Sequence, residues 1–406
     1  MSKRGYWLLC IVLLLQMCGS TDVTSNKASI PDYWPTIDWL ESTPQEQGMD
    51  SMKLIEMKNY IEEQDFDIDS IIVVRNGYIV LEEYFSFYTQ DTLHEVHSVT
   101  KSFTSALIGI AIDKGFIESV ELKVLDFFPN RTFANVDSRK QSMTLKDLLT
   151  MRTGLEWDEW TYPYTDGRNS LIQMAYSGDA IQFVLDLPMV SDPGESFTYC
   201  SGASHLLGAI LHQTTGRTTL EFANEYLFEP LGINNLQWTH DSQGLYYTGG
   251  GLSLTPRSMA KFGYLFLNNG TWDGEQIISA DWVVESTATS LFLWDYGGYG
   301  YQWWTYPTLE IYQASGLYRQ SIFVVPDYNM VVIFTADIRD GPDPELGLIN
   351  YFIIPAITGS NPSSTTPLGF EVLLPPMVVV LLAPIIFATA YWIVRTKKVR
   401  MDNKTE

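Results

Sequence analysis

The chain has 406 residues, 46% of them hydrophobic and 14% aromatic, enough to bury a full core in one large domain or two interleaved ones. Its 48 acidic side chains against 25 basic ones give a net charge of −23, which excludes the basic face that nucleic-acid binding needs. The three cysteines are Cys10, Cys18 and Cys200, and the five histidines are scattered without metal-ligand spacing, so neither a disulfide framework nor a metal centre is expected.

Residues 1–20 read as a secretory signal peptide. Lys3 and Arg4 precede an apolar run from Tyr6 to Leu15, and Cys18-Gly19-Ser20 supplies small residues before a cut. The expected body is one domain over residues 21–357. Asp50-Ser51 should cap a helix from Met52 to Glu62. Ser70–Val74, then Asn76-Gly77, then Tyr78–Tyr84 predict a hairpin.

His97 to Gly115 is the stretch with the most chemistry. Ser98-Val99-Thr100-Lys101 runs into Ala106–Ile112, which is apolar on every face and so predicts a buried helix. A serine three residues before a lysine puts both on one helix face. Burial disfavours the ammonium, so the amine would accept the serine proton, and the helix N-terminus would offer N–H groups to an oxyanion. By itself the tetrapeptide fits an N-cap serine with a lysine reaching solvent equally well. A second match, Ser258-Met259-Ala260-Lys261, lies in an amphipathic stretch where Lys261 is expected to face solvent.

Two further segments draw attention. Pro193-Gly194 makes a turn and sets Tyr199 on a loop before a helix expected over His205–Thr214. A tyrosine near a lysine can have its pKa lowered and act as a base, or it can be a buried tyrosine with one hydrogen bond. Tyr312-Gln313-Ala314-Ser315-Gly316-Leu317 reads as a strand with a small, glycine-bearing edge along which a substrate can lie. Strands are expected over Ile311–Ser315, Ser321–Val325 and Met330–Thr335, and a helix over Leu346–Ile354. Strands at both ends and helices between predict one α/β (α+β) domain. Its antiparallel sheet would be built from both ends of the chain, with a mostly helical region inserted.

Thr358–Thr366 begins a Ser/Thr/Pro stalk, assigned to residues 358–371. Val372–Val394 carries no charge and is long enough to span a bilayer, and Arg395, Lys397, Lys398 and Arg400 follow. The positive-inside rule puts this tail (395–406) in the cytoplasm and the body outside it, tethered to the membrane by one helix. Asn130-Arg131-Thr132 and Asn269-Gly270-Thr271 would then be glycosylation sequons.

Taken in order, the three segments resemble the penicillin-recognising serine hydrolases: class C β-lactamases, DD-carboxypeptidases and related esterases. The resemblance spans almost all of residues 35–357. It includes LLTMRTGL at 148–155, PGESFTYCSGASHLLGAIL from Pro193, FEPLGI at 228–233, GGGLSLTPRSMAKFG at 249–263 and WDGEQIIS at 272–279. It implies a β-lactamase-like fold, Ser98 as acylated nucleophile, Lys101 as its activating partner and Tyr199 as proton relay to the leaving group. It also implies an oxyanion hole from the backbone amides of Ser98 and Leu317, with no cofactor. Two positions depart from the pattern: Tyr199-Cys200-Ser201 stands for Tyr-x-Asn, and Ala314-Ser315-Gly316 stands for Lys-Thr-Gly or His-x-Gly. The missing cation would grip a substrate carboxylate. The chain is therefore more similar to the esterase and linear-amide branch, including 6-aminohexanoate-dimer hydrolases, than to penicillinases. Arg319 is a candidate replacement cation. Ser201, Ala314, Ser315 and Gly316 are expected to bind substrate. Trp157 and Tyr162, from an aromatic run with Trp160 and Tyr164, either line the acyl pocket or belong to a surface loop packed on the core. The expected activity is cleavage of small-molecule or peptide-like esters or amides through an acyl-enzyme. A β-lactamase or DD-carboxypeptidase, and a catalytically weak binding ectodomain on the same fold, stand as alternatives.

Overall fold

The computed structural model describes residues 33–358, apart from 295, 296, 340 and 342. The signal peptide, nearly all of the stalk, the Val372–Val394 segment and the basic tail lie outside the described residues. Among the described residues no helix is long and apolar enough to cross a membrane.

Helix α1 (Ser51–Glu63) starts where Asp50 accepts a hydrogen bond from Met52 N. It leads into β1 (Ile68–Arg75) and β2 (Tyr78–Tyr84), joined at Asn76 and Gly77, both with positive φ as a tight hairpin turn requires. Helix α2 (Thr100–Asp113), helix α3 (Ser201–Thr215) and helix α4 (Pro256–Leu267) lie in the middle of the chain. Six further strands of the main sheet follow: β3 (Leu291–Trp294), β4 (Gly297–Tyr299), β5 (Trp304–Tyr306), β6 (Ile311–Gly316), β7 (Gln320–Val325) and β8 (Met330–Ala336).

These eight strands form one antiparallel sheet in the order β2-β1-β8-β7-β6-β5-β4-β3. The first and last strands of the domain are neighbours, with Val73 opposite Val332, so the sheet is closed from both chain ends as the sequence predicts. Alternation then divides two cores. Ile72, Val74, Ile322, Val324, Val331 and Ile333 face the inserted helices. Ile71, Val73, Phe323, Val325, Val332 and Phe334 face α1 and the C-terminal segment. That segment is α-helical only over Glu345–Leu348, then widens over Ile349–Ile353 and tightens at Ile354–Ala356.

Helix α2 has Thr100 to Ala111 buried on every side, between the sheet and α3. Its close approach at Gly109 is specific: a β-carbon there would meet the Trp282 ring at 2.5 Å.

Two expectations change. Helix α3 begins at Ser201 rather than His205, because the Cys200 thiol accepts from Ala203 N and caps it. Lys261 does not face solvent. It is buried, and its ammonium donates to Thr36 O and Gly232 O at 3.0 Å each. Residues 33–40 fold over this part of the molecule, Trp34 and Trp39 packing on Tyr264, and that covering cannot be seen in the periodicity of α4.

Candidate active site

Ser98 sits in a single 3-10 turn, His97–Val99, that feeds directly into α2. It is not a capping serine: no side chain caps this turn or α2. His97, immediately before it, has φ of 47°, and Tyr318 across the site has φ of 60°, with the two rings 5.4 Å apart edge to face. Non-glycine residues held in this region are strained, and here they bracket Ser98.

One turn along α2, Lys101 turns back to Ser98. Its Nζ donates to Ser98 Oγ and to Ser201 Oγ, each at 3.0 Å, and to the Gly249 carbonyl. Burial lowers its pKa to about 8, opposed first by the charge of Glu159. Tyr199 lies beside this pair, its ring 4.9 Å from Lys101 Nζ and stacked against Trp160 and Trp304. Burial first, and the Glu159 charge second, push its phenol well above the ordinary range, while a hydrogen bond with Ser98 opposes them. Tyr199 is therefore a neutral phenol. Of the two readings the sequence leaves open, a tyrosine lowered by the lysine and a buried neutral tyrosine, the raised pKa fits the second. Lys101 is the group poised to take a proton near neutral pH.

Gly316 closes the floor of the site. A β-carbon there would lie 2.3 Å from Val96 O and 3.2 Å from Ser98 N, so only glycine lets the end of β6 approach this closely. The approach puts Gly316, the residue before Leu317, against the Ser98 amide.

Above this floor is an open cleft. Ser98, Tyr199, Ser315, Gly316 and Leu317 line it, as the sequence suggests. Trp160, Tyr164, Trp294, Trp304 and Tyr306 make its walls aromatic. Trp157 and Tyr162 do not reach it. Trp157 is buried beneath, donating from Nε1 to Glu159 Oε2 at 2.9 Å, and the Tyr162 ring is covered by the Arg168 guanidinium. Ala314 is also absent from the cleft: strand alternation turns Gln313 and Ser315 into it and Ala314 into the helix-side core. Ser201 stands behind Lys101 rather than in the cleft wall.

Arg319 lines the cleft, its Nε 3.8 Å from Asp343 Oδ2. It is a cation in the site, though one already facing a carboxylate. Glu159, 4% exposed, is the residue that sequence reasoning missed entirely. It accepts from Ser201 Oγ at 2.6 Å, Ser201 N at 2.8 Å, Trp157 Nε1 at 2.9 Å and Tyr164 Oη at 3.1 Å. Nothing in its local pattern marks it, since it stands between two tryptophan-containing turns like any loop carboxylate. Among the described residues no group of His, Cys, Asp and Glu is arranged to hold a metal ion.

Residues 56–351 match the family model described as Beta-lactamase. The chain is 25% identical over 299 residues to the 6-aminohexanoate-dimer hydrolase of Paenarthrobacter ureafaciens, covering 68% of this chain and 74% of that protein. Its fold is similar to that of a family VIII carboxylesterase, with a TM-score of 0.61 at 16% identity, covering 78% of this chain and 98% of that one. It is also similar to an octameric penicillin-binding protein homologue from Pyrococcus abyssi, with a TM-score of 0.60 at 20% identity, covering 75% and 78% of the two chains.

Proposed function

The chain belongs to the beta-lactamase family, a family of serine hydrolases, and from that premise we propose that it cleaves small esters or linear amides through an acyl-enzyme on Ser98. The observation that carries this reading is the pairing of Ser98 Oγ with a buried Lys101 Nζ at 3.0 Å, at the floor of an open cleft.

The cycle follows from the groups present. Neutral Lys101 takes the Ser98 proton as Ser98 Oγ bonds to the substrate carbonyl carbon. The carbonyl electron pair moves to oxygen and is held by the Ser98 and Leu317 amides. As the tetrahedral species collapses, the bond to the leaving group breaks. Tyr199 gives that group its phenolic proton and recovers one from the Lys101 ammonium. Water, activated by the same lysine, then releases the acyl group and restores Ser98.

The aromatic walls favour an extended, apolar acyl chain, in keeping with the amide- and ester-cleaving names of the similar proteins. The test uses a fluorophosphonate probe on the protein and on Ser98→Ala, with the adduct located by mass spectrometry. Parallel rates are measured on p-nitrophenyl esters, a linear amide and a chromogenic cephalosporin. Labelling at Ser98 that disappears in the variant supports the nucleophile, and a folded protein that never labels overturns it.

A β-lactamase or DD-carboxypeptidase is the second reading. Arg319 in the cleft favours it, as the cation a substrate carboxylate would need. Faster turnover of the cephalosporin than of the esters would select it.

The proposal extends to topology. The signal-like residues 1–20, the uncharged Val372–Val394 segment and the basic tail support a body held outside the cytoplasm by one C-terminal membrane helix. Protease added to intact cells should remove the body and leave a small tail fragment. Full protection of the body would sink this assignment.

A further inference from the structure

A lysine that activates a serine must do more than lose a proton: its lone pair must point at that serine. Lys101 Nζ has three acceptors around it, Ser98 Oγ, Ser201 Oγ and Gly249 O, and an ammonium fills all three. Once Lys101 is neutral it has two N–H groups and a lone pair for three neighbours, so the lone pair is satisfied only if one neighbour donates to nitrogen. Gly249 O cannot donate. Ser201 has one hydroxyl proton, and that proton is committed to Glu159 Oε1 at 2.6 Å, while Ser201 N holds Glu159 Oε2 at 2.8 Å. Ser201 therefore offers Lys101 only lone pairs. Ser98 is the contact left to reverse, and its reversal is the first move of proton transfer.

Glu159 is built for this task. Its four contacts are all donors, two from Ser201, one from Trp157 and one from Tyr164, which is the set an ionised carboxylate accepts. Among the described residues it makes no salt bridge. A buried charge without a cation beside it is expensive and is tolerated only where hydrogen bonds satisfy it fully. We propose that Glu159 is a positioning residue for the reaction: by orienting the Ser201 hydroxyl, it directs the Lys101 lone pair to Ser98. This rests on Ser98 being the nucleophile.

Electrostatics gives the proposal a distinctive readout. The titratable groups facing Lys101 are Glu159, Cys200, Tyr199 and His97, with Tyr247 reaching Ser201 from the other side. Burial lowers Lys101, and the Glu159 charge is the first influence opposing it. Removing that charge must lower Lys101 further. The acid limb of the rate profile then moves to lower pH even as the limiting rate falls, a combination that loosened packing does not produce.

The experiment measures Ser98 labelling by the fluorophosphonate probe, and ester turnover, from about pH 6 to 10 in the full chain. It compares wild type, Glu159→Gln and Ser201→Ala, with folding checked by circular dichroism. For Glu159→Gln the expected result is a limiting rate at least about 10-fold lower, with KM little changed and the acid limb displaced to lower pH. For Ser201→Ala the limiting rate should fall similarly while the limb moves less, because the Glu159 charge is still there. A Glu159→Gln profile with an unmoved limb, or a limiting rate within about twofold of wild type, overturns the proposal. If Glu159→Gln does not fold, Ser201→Ala decides: an undiminished limiting rate overturns it. Absence of Ser98 labelling in wild type is a different failure, that of the nucleophile assignment.

Discussion

Lys101 Nζ lies 3.0 Å from Ser98 Oγ in a site where burial brings the lysine pKa down to about 8. In the proposed cycle the amine is the base, and it is competent only when neutral. The rate of acylation, read as kcat/KM for an activated ester, should rise with pH and level off with an apparent pKa near 8. Below that value Lys101 is an ammonium and cannot take the Ser98 proton. Lys101→Met should lower kcat/KM by about 100-fold or more across the whole range and abolish this limb.

The raised pKa of Tyr199 fits the proposed role, handing a proton to the leaving group rather than abstracting one. Tyr199→Phe should therefore harm amide cleavage much more than p-nitrophenyl ester cleavage, since p-nitrophenolate departs without protonation. Rates on a matched ester and amide with the same acyl group check this. Equal losses on both would assign Tyr199 to serine activation instead.

Gly316 keeps the end of β6 against Ser98, with room for no side chain beside Val96 O. Gly316→Ala should push the Leu317 amide away from the oxyanion position and lower kcat about 100-fold or more. The measurement is kcat on the ester, alongside a melting curve to show that the sheet remains folded.

The two Ser-x-x-Lys segments should separate cleanly. Lys261 ties Thr36 O and Gly232 O together far from the cleft. Lys261→Met should cost about 1–3 kcal/mol of stability by leaving these carbonyls without their donor. Its kcat should stay near that of wild type, the reverse of Lys101→Met. Thermal melts and ester assays on both variants provide the comparison.

Arg319 lines the cleft, its Nε 3.8 Å from Asp343 Oδ2. Arg319→Ala should raise KM for substrates bearing a carboxylate about 10-fold and leave neutral esters little affected. Steady-state kinetics on a neutral ester and its acidic counterpart test the difference.

The sequence by itself determined the frame. Asn76-Gly77 between two strand-like runs specified the hairpin, and the apolar, β-branched run at Met330–Thr335 the last strand, because tight turns and strand preference are local properties. The wholly apolar Ala106–Ile112 marked α2 as buried, and with it the pairing of Ser98 and Lys101, since three residues along a helix is a fixed spacing. Only the tertiary structure decided what surrounds that pair. Trp157 and Trp160 are three residues apart in one loop, yet one packs beneath the site and the other walls the cleft, a choice made by the path of the loop rather than by residue type. Lys261 looked like a surface lysine until residues 33–40 covered it. Burial raises the Tyr199 pKa, and no local pattern reports that desolvation. Glu159 reaches Ser201 across 42 positions of sequence. Donor and acceptor matching over such a separation is a property of the folded chain, and it was legible only there.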